Sequence, residues 1–88
     1  MLNAERSWSE LMRDLRDKRK LSRPAVARAA QLSASAVKAY ESGRRRPKLT
    51  TAGRLLRSLD ASEQEILMLA EALGYHPRSL TNAMEKQR

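Results

Sequence analysis

The chain has 88 residues, a formal net charge of +8, no cysteine and a single histidine, His76. A chain this short buries only about 60% of its unfolded surface, which suffices for one small domain but not for a deep substrate pocket. The missing cysteines exclude disulfides, thiolate nucleophiles and cysteine-based zinc sites, and one histidine excludes a histidine-rich metal cluster; no metal and no cofactor are expected.

Taken in chain order, the segments read as helices. Met1–Arg6 lacks the apolar run of a signal peptide, and no stretch approaches the roughly 20 apolar residues of a membrane span, so a cytoplasmic protein without membrane contact is expected. Ser7 and Glu10 have capping-box spacing, and behind them Trp8, Leu11, Met12 and Leu15 form an amphipathic stripe. Ser22 is the N-cap of a second helix with Pro24 in its first turn and Val26, Ala27 and Ala30 on its apolar face, ending near Gln31. Ser33 caps a third helix over Ala34–Ser42, with Gly43 as its left-handed stop. A basic loop, Arg44-Arg45-Arg46-Pro47-Lys48, leads to a fourth helix from Leu49 to Leu59 that is broken at Asp60-Ala61. Ser62 and Glu65 form a second capping box, opening a fifth helix that ends near Leu73 with Gly74 as its stop. His76-Pro77 starts a short sixth helix with Leu80, Ala83 and Met84 on one side. Few β-branched residues and no period-2 alternation argue against strands. The expected fold is all-α: a compact bundle of about five helices plus the short sixth. Residues 1–75 are expected to form the functional domain, and 76–88 a short C-terminal helix or linker.

The positive charge is concentrated. Residues 1–20 carry six bases and four acids, residues 21–48 seven bases and one acid, and residues 49–88 five of each. A basic surface confined to the middle third attracts a polyanion; the simpler alternative is a solubilising charge excess.

In that third, two short helices are joined by about three residues. Ala27 and Ala30 stand where the first must approach the second, and the second turns Val37 and Tyr40 inward and Ala34, Ser35, Lys38 and Ala39 outward. This is the plan of a helix-turn-helix, whose second helix enters the DNA major groove. The sequence resembles the Cro/lambda-repressor (Xre-type) helix-turn-helix family through Leu21-Ser22, Val26-Ala27, Ala30, Leu32-Ser33, Val37, Tyr40-Glu41, Gly43, Arg45 and Pro47, over roughly Leu11 to Leu59. It departs from the family's usual residues at Arg23 (often Gln), Pro24 (often Glu) and Gln31 (commonly Gly). The resemblance implies a bundle of about five helices that binds a two-fold operator on double-stranded DNA as a homodimer, often as a repressor, in a bacterium or phage.

On this reading Ala34, Ser35, Lys38 and Ala39 face the bases. Lysine can donate to guanine O6 and N7, and an alanine methyl can pack on a thymine methyl; the alternative for Lys38 is a phosphate contact. Phosphate contacts are expected from Arg23, Ser33, Ser42, Arg44, Arg45, Arg46 and Lys48. About five cationic contacts per half-site would give a dimer a log–log salt slope near −9. Tyr40 and Trp8 read first as core, Glu41 as a structural partner of an arginine such as Arg45, and His76 as a cap or surface residue. Ile66, Leu69, Ala70 and Leu73, with Leu67, Met68, Ala72 and Tyr75 beside them, make the fifth helix apolar over a wide face. Such a face needs cover, expected from the sixth helix, with a dimer contact, a further domain or a partner protein on helix 63–73. An antitoxin or other interaction module on the same fold is the competing function. No nucleophile–base pair, buried carboxylate pair or phosphate-cradling glycine loop supports an enzyme, and the aromatic residues are too scattered for an RNA-stacking platform.

Overall fold

The computed structural model describes residues 7–86, so the expectations placed on Met1–Arg6 and on Gln87-Arg88 lie outside the described residues. Six α-helices follow one another: α1 (Trp8–Lys18), α2 (Arg23–Ala30), α3 (Ala34–Glu41), α4 (Leu49–Ser58), α5 (Glu63–Leu73) and α6 (Pro77–Glu85), with no strand among the described residues. α3 ends one residue earlier than expected, with Ser42 as its C-cap, and α4 likewise gives up Leu59 to its cap.

The helix starts follow from local chemistry. Ser7, Ser22, Ser33 and Ser62 each accept a backbone N–H of the first turn, and His76 does so through Nδ1. Each thereby satisfies one of the amides that a helix leaves open at its N-terminus. At Ser62 the box is reciprocal, because the Glu65 carboxylate accepts the Ser62 N–H at 2.8 Å. α4 is the exception: Lys48 holds its cap position and offers no side-chain acceptor.

The stops share one geometry. After α1 to α5 the chain turns through a left-handed residue, namely Lys20, Gln31, Gly43, Asp60 and Gly74. In each case the next amide reaches back to a carbonyl five residues earlier, as Leu21 N–H does to Arg16 and Tyr75 N–H to Ala70. This is the Schellman motif.

The core runs through all six helices: Leu11, Met12 and Leu15 from α1, Val26, Ala27 and Ala30 from α2, Val37 and Tyr40 from α3, Leu55 and Leu56 from α4, Leu69 and Leu73 from α5, and Leu80 from α6. Small residues set the close approaches. Ala27 and Ala30 are buried between α2 and its neighbours, as the helix-turn-helix plan requires. Gly53 of α4 faces Ala83 of α6 so closely that a Cβ on it would lie 2.6 Å from the Ala83 Cβ. Arg57 of α4 closes the same junction by donating to the Met84 carbonyl at the end of α6 (2.9 Å). α6 therefore covers α4 and the inner face of α5, leaving Leu67 and Met68 of α5 at 51% and 42% exposure.

Two charge clusters tie α1 to the rest. Glu41 in α3 is buried and accepts Arg16 Nε at 2.6 Å, Arg16 Nη2 at 3.0 Å and Arg23 Nε at 2.9 Å. The expected pairing of Glu41 with Arg45 is corrected here: Arg45 instead lies over the Tyr40 ring, 5.5 Å from its centroid, because the Schellman turn at Gly43 carries the chain away from Glu41. Arg16 also donates to the Leu21 carbonyl, and the Glu41 hydrogen bond raises its pKa above the ordinary arginine value. Glu65 in α5 accepts Arg19 Nη2 at 2.6 Å and Lys18 Nζ at 3.2 Å. The Arg19 contact, joined by the Ser62 amide and Lys18, holds the Glu65 carboxyl down at about 2.

Candidate nucleic-acid interface

α2 and α3 are joined by three residues, Gln31 to Ser33. Gln31 at φ +60° turns the chain, and Ser33 restarts it by accepting the Ala36 amide at 3.0 Å. α3 buries Val37, Tyr40 and Glu41 and leaves Ala34, Ser35 and Lys38 exposed, with Ala39 half-buried beside them. The four expected base-facing residues thus share the outward side of a short helix whose other side is fixed in the core. One flexible cation among three small side chains makes that surface narrow, and a narrow ridge is what fits a major groove about 12 Å wide.

The expected phosphate contacts divide by what already holds them. Arg44, Arg45 and Lys48 are exposed, and the Arg45 guanidinium is kept in place by its cation–π contact with Tyr40. Arg23 keeps its terminal nitrogens without a hydrogen-bond partner among the described residues, since only its Nε is engaged. Ser33 uses its hydroxyl oxygen as an acceptor, so its hydrogen remains available to a phosphate. Ser42 is different: its hydroxyl donates to the Ala39 carbonyl at 3.1 Å, which commits the hydrogen a phosphate would need. Arg46 is exposed too, but one of its terminal nitrogens is engaged elsewhere. It donates to the Leu73 carbonyl at the end of α5 and lies over the Tyr75 ring, while the Tyr75 hydroxyl donates to the Pro47 carbonyl at 3.0 Å. A cation at a helix C-terminus is favoured by the macrodipole. Arg46 and Pro47 therefore anchor the basic loop to α5.

Sequence reasoning missed two parts of this site. One is the pair of arginines that Glu41 holds, Arg16 and Arg23, which come from two other helices; Glu41 itself was expected to pair with an arginine, as the lone acid in a basic third. The other is the start of α4, where no side chain closes the first amides next to Lys48. No cluster of three or more metal-ligating side chains occurs among the described residues, and no helix there is long and apolar enough to cross a membrane.

Comparison with known proteins agrees with this geometry. The family described as "Helix-turn-helix domain" matches residues 9–69, which takes in α1 through most of α5. Neither a curated protein nor a solved structure matches the chain. With well over half its length inside the family match, and with the two short helices and three-residue turn in place, the chain belongs to a helix-turn-helix domain family, an architecture that implies DNA binding.

Proposed function

We propose that the protein is a sequence-specific regulator of transcription, most simply a repressor of the Cro/lambda-repressor (Xre) type, that seats α3 in the major groove of double-stranded DNA. The observation that carries this is the outward face of α3, with Ala34, Ser35, Lys38 and Ala39 together, next to the exposed cations Arg44, Arg45 and Lys48. Lys38 reads a guanine and the alanine methyls pack on thymine. Arg23, Arg44, Arg45, Lys48 and the Ser33 hydroxyl hold the phosphates, while Ser42 and Arg46 hold the protein's own backbone. The reading includes a homodimer on a two-fold operator in the cytoplasm of a bacterium or phage, with Leu67 and Met68 of α5 in the subunit contact.

Selection from random duplex DNA by the purified protein tests it. A two-fold symmetric enriched site is expected, and no enrichment over the starting pool would overturn it. Lys38→Ala should lose about 1–3 kcal/mol on the enriched site and relax the preference at one position; equal weakening on every duplex would make Lys38 a phosphate contact. Four cationic contacts per half-site give a dimer a log–log salt slope of about −7.

A second reading, an interaction module such as an antitoxin, rests on the same exposed Leu67 and Met68. Copurification of a stoichiometric partner protein, together with a monomer by light scattering in its absence, would favour it.

A further inference from the structure

Arg23 and Glu41 carry an inference that rests on the DNA-binding reading. Glu41 is the last residue of α3 and its side chain is only 3% exposed. One carboxylate there serves two guanidiniums: Arg16, itself 11% exposed, on both oxygens, and Arg23, 40% exposed, on Oε1 alone. Arg16 Nη1 also lies 3.5 Å from the exposed Asp17 carboxylate, so two cations face two anions and the cluster is neutral overall. Arg16 is deep and satisfied, with a further bond to the Leu21 carbonyl. Arg23 is therefore the outer member, the guanidinium of the cluster that a ligand can reach.

Its attachment is specific. Glu41 takes the Nε–H of Arg23, which leaves the terminal nitrogens of this 40% exposed side chain without a hydrogen-bond partner among the described residues, a donor pair that suits a phosphate. The contact also places Arg23, the first residue of α2, at the end of α3 from which the basic loop departs. We propose that Glu41 is a positioning residue for DNA. A buried negative charge beneath the interface increases affinity, because it pre-orders Arg23 for the phosphate backbone.

An exposed arginine would otherwise be ordered only on binding, and removing that cost gains about twofold to tenfold in affinity per side chain. The role also explains why arginine serves at position 23: the three donors of a lysine share one freely rotating nitrogen, whereas a guanidinium holds Glu41 through Nε and turns separate nitrogens in a fixed fork to a phosphate.

The test is a double-mutant cycle read as duplex binding by fluorescence anisotropy. The probe is a short duplex of mixed sequence at low salt, so that phosphate contacts dominate, and each variant is first shown to be folded by circular dichroism at the assay temperature. Arg23→Ala should weaken binding about tenfold and make the log–log salt slope shallower by about 0.9 per half-site. Glu41→Gln should weaken binding although it removes a negative charge, and Arg23→Ala/Glu41→Gln should bind no worse than Arg23→Ala. Wild-type affinity in folded Glu41→Gln, or multiplying losses in the double variant, would overturn the proposal. Should Glu41→Gln not fold, Arg23→Lys decides: it should lose affinity nearly as far as Arg23→Ala despite keeping its charge, and wild-type affinity there overturns the proposal. If the wild-type chain itself does not bind the duplex, the DNA-binding reading falls and this inference with it; if it binds and the cycle fails, only the inference falls.

Discussion

Lys20, Gln31 and Asp60 adopt left-handed backbone with φ of 57°, 60° and 51°, a region that costs a residue with a Cβ about 1–2 kcal/mol. All three stand where a helix closes in a Schellman turn, and Gly43 and Gly74 do the same work without that cost. Gln31 is the most telling, because it forms the turn between the two helices of the motif. Gln31→Gly should stabilise the fold by about 0.5–1 kcal/mol, the relief of strain exceeding the added freedom of the unfolded chain; a lower denaturation midpoint would show that the glutamine side chain does something there that its φ does not reveal. At this scale the sequence was readable in part. The serine caps announce themselves within four residues. The non-glycine stops do so unevenly: Asp60 was legible as a break, since aspartate tolerates left-handed backbone, while nothing about Lys20 marks such a bend. Glu41 was legible as structural but not in its partners, because Arg16 and Arg23 lie 25 and 18 positions away and only the packing of α1 and α2 on α3 brings them in.

Among the elements, α6 shows what periodicity cannot see. Its apolar side was evident from Leu80, Ala83 and Met84, but its docking depends on Gly53 in the middle of α4, a residue that no apolar periodicity marks. Gly53→Ala adds helix propensity worth about 1 kcal/mol. Its Cβ, however, would meet Ala83 Cβ at 2.6 Å and the Ala83 carbonyl carbon at 2.9 Å. Overpacking should prevail, with a net loss of about 1–3 kcal/mol seen as a lower thermal midpoint; an unchanged midpoint would mean that α6 slides to make room. The contact of α1 with α5 carries a pH dependence. Glu65 has its pKa lowered from 4.5 to about 2 in the folded chain, first by its hydrogen bond with Arg19. A depressed carboxylate contributes stability above the unfolded value, so the contribution is complete above about 4.5 and is lost as pH falls toward 2. Its size should be on the order of 1–2 kcal/mol, once screening at the open Lys18 is allowed for. Urea midpoints of wild type and Glu65→Gln should therefore differ near neutral pH and converge in acid. A constant gap across that range would assign the effect to packing.

For the molecule as a whole, the count of 18 lysines and arginines overstates what a ligand meets. Arg16, Lys18, Arg19 and Arg23 sit on Glu41 and Glu65, while Arg46 and Arg57 close the ends of α5 and α6. The sequence showed where cations cluster but not which of them the fold consumes, because that depends on which helix ends meet. What remains around α3 is Lys38 with Arg44, Arg45, Lys48 and the outer edge of Arg23, and α5, with three acids and no base, contributes nothing to it. The gross fold was legible because helix starts, stripes and breaks are local, and the outward face of α3 followed from the inward pair Val37 and Tyr40.

The anchoring of the basic loop has a consequence for how the protein is cut. Arg44-Arg45-Arg46 on an exposed connector would ordinarily be the first place a trypsin-like protease opens the chain. Here the segment is held at its start by the Gly43 turn and at its end by Arg46 on Leu73 and Tyr75 on Pro47. A protease needs several residues of extended, detachable backbone, and this connector cannot supply them without opening α5 as well. Brief digestion of the native protein should leave residues 44–48 intact, and Tyr75→Phe, which removes only the hydrogen bond to Pro47, should make that stretch the earliest site of cleavage.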